Sequence, residues 1–233
     1  MVRDNARVAS PLSKDLRDAL VAASVELLKC HGPEALQARR IASAVGISTM
    51  AIYTHFGGIR GLVAAVADEG IRQLGEAQAA VVQTNDPVAD LISTSVKCRQ
   101  FAIDNSDVYR LIFGGNSIHG FCANSQNAVG NTYAISERQG LEHLLRCVRR
   151  AMAVGRIHGS PEDLVVVHMV AAKLWAVIHG SITLELVGFW GVDGSAGRQA
   201  LASLTMDLFV ALGDSPENAT NSAAAAAAAQ TRP

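Results

Sequence analysis

Hydroxyl and imidazole side chains are concentrated between Gly46 and Gly58, in the stretch GISTMAIYTHFGG. The rest of the chain is apolar, with 49% hydrophobic residues overall. Such a cluster could form a catalytic site, a metal site or a surface that binds a polymer. A local serine–histidine site would need a carboxylate to orient the imidazole, and no Asp or Glu lies near Ser48 and His55 in the sequence. The residues therefore argue against local hydrolytic chemistry.

Residues 48–56 separate into an inward and an outward face when they are placed on a helix. Ile52 and Phe56 lie one turn apart and point inward. The outward residues are Thr49, Met50, Tyr53 and Thr54. Phosphate oxygens accept hydrogen bonds from such hydroxyls and from the backbone N–H groups of helix N-termini. This face could hold phosphates, and the alternative is the solvated side of a small helix.

The distribution of charge favours a surface that binds a polyanion. The whole chain carries a net charge of -1, but residues 1–62 contain eight Lys or Arg against five acids. From Ala35 to Ala67 there is no acidic residue. Arg39, Arg40 and Arg60 therefore create a basic surface on an otherwise neutral protein.

The elements that must position this surface are helices. Aromatic residues make up only 5% of the chain, and no segment alternates in the manner of a β-strand. Ser13 is expected to cap a helix that runs to about residue 30, and a second helix covers about 36–44. Gly46 supplies a position for positive φ, and Ser48 is expected to cap a third helix that ends at Phe56. The second helix, the turn at Gly46 and the third helix together predict a helix-turn-helix.

The remainder of the chain is predicted to be a larger helical domain. Asp86 before Pro87 indicates a helix start. Further helices are expected at about 59–82, 87–104, 108–115, 132–154, 161–188 and 196–212, with a loop over 114–131. The tail, GDSPENATNSAAAAAAAQTRP, has no apolar periodicity and is predicted to be disordered. We expect an all-α fold, with domains at 12–62 and 63–213 and a disordered tail at 214–233.

Residues 32–66 resemble the N-terminal DNA-binding domain of TetR-type transcriptional regulators, through the glycine turn, the serine before the recognition helix and the Y-x-H-F ending. The resemblance implies that the helix from Ser48 enters the major groove, with Thr49 and Met50 at base edges. It implies backbone contacts from Gln37, Arg39, Ser48, Tyr53 and His55. The family often has a lysine three residues after the phenylalanine. Ile59 occupies that place here, so the phosphate contact is expected from Arg60.

The stretch LWAVIHGSITLEL, residues 174–186, resembles the WHG-type C-terminal domain of one TetR subfamily, with Trp175, His179 and Gly180 as the signature. TetR resemblance implies a cavity for a small, apolar effector within helices from about 86 to 190. Its candidate lining residues are Phe101, Tyr109, Phe113, Phe121, Trp175 and His179. Each of these could equally belong to the packed core.

A homodimer through the last two long helices is implied by the family and is also suggested by the residues. Residues 164–190 are too apolar to leave one side in water, and Leu204, Leu208 and Leu212 form another stripe. Two copies could bury both stripes in a four-helix interface. Such a dimer would read a palindromic DNA operator.

Other classes of site find little support. His119, His143, His158 and His168 lack metal-ligand spacing, so we expect no metal, no cofactor and no catalytic residue. The four scattered cysteines are typical of free thiols in a reducing cytoplasm. No signal peptide is recognisable at the start of the chain. The apolar stretch 164–192 is interrupted by four ionisable residues, His168, Lys173, His179 and Glu185, which favours a buried helix over a membrane span.

We therefore predict a cytoplasmic, ligand-responsive DNA-binding regulator, in the form of a repressor that binds its operator as a homodimer. Two alternatives belong to other classes. One is a helical ligand-binding protein without a DNA-binding role, which the departure at Ile59 suggests. The other is a helical-bundle enzyme that uses a histidine such as His119 or His179.

Overall fold

The computed structural model describes residues 11–114, 118, 139–191 and 193–230, and these residues form ten α-helices and one 3₁₀ helix. No β-strand occurs in this part of the chain, and the predicted all-α class is confirmed. In chain order the elements are α1 (Pro11–His31), the 3₁₀ helix (Pro33–Ala35), α2 (Ala38–Val45), α3 (Met50–Phe56), α4 (Ile59–Ala79), α5 (Pro87–Asp104), α6 (Ser106–Phe113), α7 (Gln139–Ala153), α8 (Leu164–Leu186), α9 (Ser195–Ala211) and α10 (Pro216–Gln230).

The chain divides into two compact units. Among the described residues, the first unit contains 11–70 and 107–114 together with residue 118, and the second contains 71–106, 139–191 and 193–230. The division falls inside α4 at Gly70, whereas the sequence suggested a first domain that ends at residue 62. The first unit also includes α6, which is separated from α4 in sequence.

The first unit is built on the helices that the apolar spacing predicts. Leu20 and Leu28 of α1, Ile41 of α2 and Ile52 of α3 are fully buried. Gly46 ends α2 in the left-handed conformation, with φ 75°, and its N–H donates to the carbonyls of Ala42 and Ser43. The predicted glycine turn between the two short helices is therefore present.

The start of α3 differs from the prediction that Ser48 caps it. The helix begins at Met50, and the preceding Thr49 already has helical dihedrals (φ -61°, ψ -22°). Thr49 is thus the first residue with helical dihedrals, and Ser48 keeps the position just before it, but no capping hydrogen bond from either hydroxyl occurs among the described residues. The carbonyls of Ser48 and Thr49 instead accept from the N–H groups of Ala51 and Ile52, three residues on. A tight backbone turn thus takes the place of the cap.

The second unit packs α5, α7, α8, α9 and α10 around one apolar core. Its fully buried members include Val88 of α5, Val148 of α7, Val167 of α8 and Phe209 of α9. The predicted start of α5 is confirmed, because Asp86 accepts from the backbone N–H groups of Val88 and Ala89 and Pro87 is the first helical residue.

The C-terminal tail is helical, which corrects the prediction of disorder from residue 214. Helix α10 packs against α5 and α9 and buries Ala219, Ser222 and Ala226, which share one face. The Ser222 hydroxyl donates to Asp86 at 2.6 Å, its shorter contact, lies 3.0 Å from the Asn218 carbonyl oxygen and accepts from Arg156 at 2.9 Å. Arg156 also holds the buried Asp214 through two hydrogen bonds of 2.6 Å. Small residues and ionic contacts, rather than large apolar ones, fix this helix.

Within the described part of the chain, α8 is the one single helix whose length and composition would suffice to cross a membrane. Helices α3 and α4, which meet at a bend, reach the required length and apolar composition only if the two helices are counted as one span. In α8, 39% of the most apolar window is buried within the protein, including Val167, Leu174 and Ile178. Core helices of soluble proteins share these properties, so this helix is weak evidence for a membrane.

Candidate nucleic-acid interface and effector-binding unit

The outward face of α3 presents two large side chains to solvent. Met50 is 66% exposed and Tyr53 is 58% exposed, while Ile52 between them is fully buried. Thr54 is exposed, and its hydroxyl donates to the Met50 carbonyl at 3.0 Å. That bond uses the one hydroxyl proton of Thr54, so the side chain can still accept but not donate. Tyr53 keeps a phenol that is free to donate at the surface.

The turn between α3 and α4 supports the Tyr53 ring. The N–H of Gly57, at φ 69°, donates to the Tyr53 carbonyl at 3.0 Å. The next residue, Gly58, has φ 121°, and a β-carbon there would lie 3.6 Å from the edge of the Tyr53 ring. One edge of the Tyr53 ring therefore lies along the glycine turn, while the side chain as a whole stays exposed.

The C-terminal end of α3 is held against α1. The guanidinium carbon of Arg17 lies 5.0 Å from the centroid of the Phe56 ring, a cation–π contact that links the two helices. His55 is half-buried, with its ring centroid 6.4 Å from that of Phe56. Phe56 thus anchors the helix that carries Met50 and Tyr53.

The basic side chains around α3 are available to a ligand. Arg39, Arg40 and Arg60 are exposed, and none of them forms an ion pair with another described residue. Gln37 is exposed and uses its amide to donate to the Glu34 carbonyl at 3.1 Å. Ile59, where the family often has lysine, is half-buried. Arg60 beside it is exposed at the start of α4.

All eight residues that the sequence assigned to DNA contacts lie in the first unit and retain access to solvent. Six are exposed, while Thr49 and His55 are half-buried. These eight residues are Gln37, Arg39, Ser48, Thr49, Met50, Tyr53, His55 and Arg60. Together they provide hydroxyls, one amide and guanidinium groups within a stretch, Ala35 to Ala67, that contains no acidic residue, which suits the phosphate backbone and the base edges of a duplex.

In the second unit, Trp175 and His179 stack face to face on α8. Their ring centroids are 5.6 Å apart and the ring planes differ by 9°. Both side chains are half-buried, and burial lowers the pKa of His179 below its ordinary value. The imidazole is therefore neutral at pH 7, and the pair offers an aromatic surface.

The aromatic residues predicted to line one ligand pocket are divided between the two units. Phe101, Trp175 and His179 belong to the second unit, where Phe101 is buried on α5. Tyr109 and Phe113 belong to the first, with ring centroids 4.8 Å apart. Phe121 lies outside the described residues. The six residues are thus not brought together within a single unit.

A cavity that the sequence did not indicate lies in the second unit between α5, α9 and α10. It has a volume of about 160 Å³. Its lining includes Ile92, Ser95, Val96, Arg99, Arg198 and Ala223, and none of the predicted pocket residues. These are ordinary aliphatic, hydroxyl and basic side chains on three separate helices. No local motif marks them, so sequence reasoning had no signal to find them.

One wall of this cavity is fixed by a buried ion pair. The Arg99 guanidinium donates from Nε to the Glu185 carboxylate at 2.8 Å and from its terminal nitrogen at 2.5 Å. Their side chains are only 8% and 9% exposed. Arg99 also donates to the Gly194 carbonyl at 3.3 Å. The pair therefore joins α5, the end of α8 and the start of α9.

A second polar cluster links α5 and α7. His143 is buried, with Nε2 3.1 Å from the Thr94 hydroxyl, and Arg150 donates to Asp90 at 2.6 Å. Burial, followed by the charge of Arg146, lowers the pKa of His143. Among the described residues no group of three or more His, Cys, Asp or Glu side chains is arranged to hold a metal ion.

Helices α2 and α3, the glycine turn between them and the exposed basic surface define a DNA-binding regulator of the helix-turn-helix class. Residues 20–66 match the family profile of bacterial regulatory proteins, tetR family, and residues 91–209 match that of the tetracyclin repressor-like C-terminal domain. The chain belongs to the TetR family and is a ligand-responsive, DNA-binding transcriptional regulator. The finer assignment of its C-terminal domain to the WHG type stays a prediction.

Solved structures share this fold at low sequence identity. A protein of unknown function from Rhodococcus sp. RHA1 has a TM-score of 0.65 and 20% identity, over 91% of this chain and 100% of that one. RolR in complex with resorcinol has a TM-score of 0.62 and 14% identity, over 95% and 96%. A regulatory protein in the tetR family from Rhodococcus RHA1 has a TM-score of 0.55 and 18% identity, over 89% and 100%. No match to this chain was found among curated proteins.

Proposed function

We propose that this regulator is a homodimeric repressor that binds a palindromic operator through α3 and leaves it when a small, apolar effector binds. The observation that carries the proposal is the outward face of α3, where Met50 and Tyr53 are exposed beside three arginines that form no ion pair with any described residue. A large apolar side chain costs free energy in water unless a ligand covers it. A duplex would cover Met50 and pair with the cations.

The side chains on this surface take two kinds of role. Thr49 and Met50 lie at the start of α3, which is the end of a recognition helix that contacts base edges. Met50 can contact a thymine methyl but cannot read guanine as an arginine would. Phosphate contacts are assigned to the remaining six predicted residues, which are Gln37, Arg39, Ser48, Tyr53, His55 and Arg60. Arg60 supplies the charge that Ile59 lacks.

The dimer is assigned to the exposed apolar faces of α8 and α9. Val165 and Met169 of α8 are 64% and 54% exposed, and Leu204 of α9 is 46% exposed. Gly180 lies further along α8, and a β-carbon there would meet nothing within 4 Å. Two copies that pack α8 and α9 together would bury these side chains in a four-helix interface. Recognition helices one DNA turn apart, about 34–36 Å, would then read two symmetric half-sites.

The effector acts by shifting a conformational equilibrium. A ligand that binds the second unit better in one state favours that state by its difference in affinity. In the favoured state, the two recognition helices no longer match successive major grooves. RolR, which shares the fold, was solved with resorcinol, a small aromatic molecule, and this supports an effector of similar size. The DNA target places the protein in the cytoplasm.

Selection of binding sites from a pool of random duplex DNA tests this proposal. We expect the full-length protein to enrich an inverted repeat whose half-sites are about one helical turn apart. Sedimentation of the protein with the enriched duplex is expected to give two chains per duplex. If no sequence were enriched, the proposal that the protein binds a specific operator would be refuted. A single chain bound to an asymmetric site would refute the proposed dimer.

A further inference from the structure

The cavity between α5, α9 and α10 has the properties of a ligand site. We infer that it binds a small molecule made of an apolar ring that carries one carboxylate, and that Arg198 at its lining pairs with that carboxylate. The cavity lies in the second unit, and one of its walls, α10, extends beyond the residues 91–209 that match the family's C-terminal domain. The site is therefore built partly from a helix outside the matched region.

The volume of the cavity sets the size of the ligand. At about 160 Å³ it is close to the roughly 150 Å³ of an apolar protein cavity that is known to take up benzene. Ile92, Val96, Leu201 and Met206 supply the apolar lining. A single six-membered ring fills such a space, whereas a drug-sized ligand needs about 300 Å³ or more.

The hydrogen bonds that the polar lining residues already make indicate which charge a ligand of this cavity carries. Ser95 donates to the Leu91 carbonyl at 3.0 Å, and Thr205 donates to the Leu201 carbonyl at 2.6 Å. Each hydroxyl has therefore used its one proton. Arg99 is occupied by Glu185 and by the Gly194 carbonyl. Glu185 neutralises the charge of Arg99, although the second terminal nitrogen of Arg99 takes no part in these hydrogen bonds. The charge that remains at the cavity is that of Arg198.

Arg198 carries a positive charge that no ion pair neutralises among the described residues. It is exposed at the first turn of α9. The charge of Arg198 acts on Asp193. Hydrogen bonds from Ser195 are the largest cause of the lowered pKa of Asp193, and the Arg198 charge lowers that pKa by a smaller amount. A guanidinium beside an apolar cavity matches a carboxylate attached to a ring.

The cavity is also connected to the contacts that hold α10. Ala223 lines the cavity, and its neighbour Ser222 donates to Asp86, the capping residue of α5. A ligand against Ala223 therefore contacts the helix that is tied to the start of α5. We identify this cavity with the site where the effector binds. The inference therefore rests on the proposed function, in which an effector releases the protein from DNA.

Binding of 4-fluorobenzoate to the full-length protein without DNA tests the assignment, with fluorine NMR and calorimetry as readouts. Ala223→Leu fills the cavity and is expected to weaken binding at least 10-fold. Ala224→Leu, on the exposed side of the same helix, is the matched control and leaves binding unchanged. Arg198→Gln removes the charge at an exposed position and is expected to weaken binding about 10-fold. Arg149→Gln, an exposed arginine of α7 away from the cavity, is its control.

4-Fluorobenzylamine, a cation of the same size, is expected to bind at least 10-fold more weakly than 4-fluorobenzoate. Equal binding of the two probes, or full binding by Arg198→Gln, would overturn the role of Arg198. Full binding by a folded Ala223→Leu protein, or no saturable binding by the wild type, would overturn the site. DNA selection without any probe is scored separately. Loss of the ligand site therefore leaves the operator proposal intact, and absence of an operator leaves the ligand result intact.

Discussion

The backbone carbonyl of Phe56 lies directly against Gly61, so that a β-carbon on Gly61 would be 1.9 Å from the carbonyl oxygen and 2.9 Å from its carbon. Phe56 is the last residue of α3 and Gly61 is the third residue of α4. The close approach accompanies a bend of 62° between the two helices. Only a residue without a side chain permits this bend, so Gly61 positions the helix that presents Met50 and Tyr53.

Gly61→Ala is expected to lower the free energy of unfolding and to weaken DNA binding at every sequence. The added methyl must displace backbone, because the atoms that it meets belong to the Phe56 peptide group. Overpacking of this kind costs about 1–3 kcal/mol. Urea unfolding and duplex titration measure the two effects. A variant with unchanged stability and unchanged affinity would show that the contact does not position α3.

Phosphate contacts and base contacts are expected to respond differently to substitution. Tyr53→Phe and Arg39→Ala remove groups assigned to phosphates, so both should weaken binding by about 3- to 30-fold on all sequences alike. Met50→Ala removes a contact assigned to a base edge, so it should change the preference between duplexes. Titrations against a panel of point-substituted operators measure both effects.

Arg149→Ala serves as the control for these variants, because Arg149 is an exposed arginine in the second unit. It should bind like the wild type. A uniform loss from Met50→Ala together with a sequence-dependent loss from Tyr53→Phe would reverse the roles assigned to these residues.

The first unit could be predicted closely from the sequence because its determinants are local. Apolar residues at helical spacing place Ile41 and Ile52 in the core, and Gly46 takes the positive φ that its position in the turn requires. The start of α3 could not be predicted as well. A serine just before the first helical residue can accept a capping hydrogen bond, but its presence does not fix the side-chain orientation that this bond needs.

The second unit depends on contacts between distant parts of the chain, which the sequence does not reveal. The Arg99–Glu185 pair spans 86 positions, and the Ser222–Asp86 bond spans 136. Helix α10 was predicted to be disordered because its buried face consists of alanine and serine, which carry no hydrophobic signal. The cavity against α10 was missed for the same reason, since the aromatic residues suggested a different site.

Glu185→Gln is expected to destabilise the second unit by about 3 kcal/mol. The substitution leaves the Arg99 guanidinium in a buried position without its countercharge, and breaking a buried pair costs about 3–5 kcal/mol. The double variant Arg99→Met/Glu185→Leu removes both charges and should recover most of the loss. Urea unfolding of the wild type, of Glu185→Gln and of the double variant measures the three free energies of unfolding. Equal stability of Glu185→Gln and wild type would mean that the pair contributes nothing.

Ser222→Ala is expected to destabilise the protein near neutral pH by about 1 kcal/mol, and by less in acid. Burial acts to raise the pKa of Asp86, but the Ser222 hydrogen bond, the N–H groups of Ala89 and Val88 and the Arg156 charge together lower it below 3.8. Stability from the charged Asp86 is therefore present above about pH 4 and is lost as the pH falls through the lowered value. The difference between variant and wild type should shrink over that range.

Thr220→Ala is the matched control on the same helix, since the Thr220 hydroxyl bonds only to the Pro216 carbonyl at the surface. The free energies of unfolding of the wild type, Ser222→Ala and Thr220→Ala are to be measured in urea at pH 6 and at pH 3. A Ser222→Ala defect that is as large at pH 3 as at pH 6 would show that Asp86 ionisation is not coupled to α10.

The central claim is that the surface around α3 holds duplex DNA through its cations and reads its sequence. The most direct test is the affinity of the full-length protein for its selected duplex and for a shuffled one, measured between 50 and 200 mM salt. Three exposed arginines per chain, which form no ion pair within the described part of the chain, give six cations in a dimer and predict a fall of about 10³-fold over this range for the selected duplex. The selected duplex should bind at least 10³-fold more tightly than the shuffled one at the same salt. Affinity that is independent of salt, or equal for the two duplexes, would contradict the account.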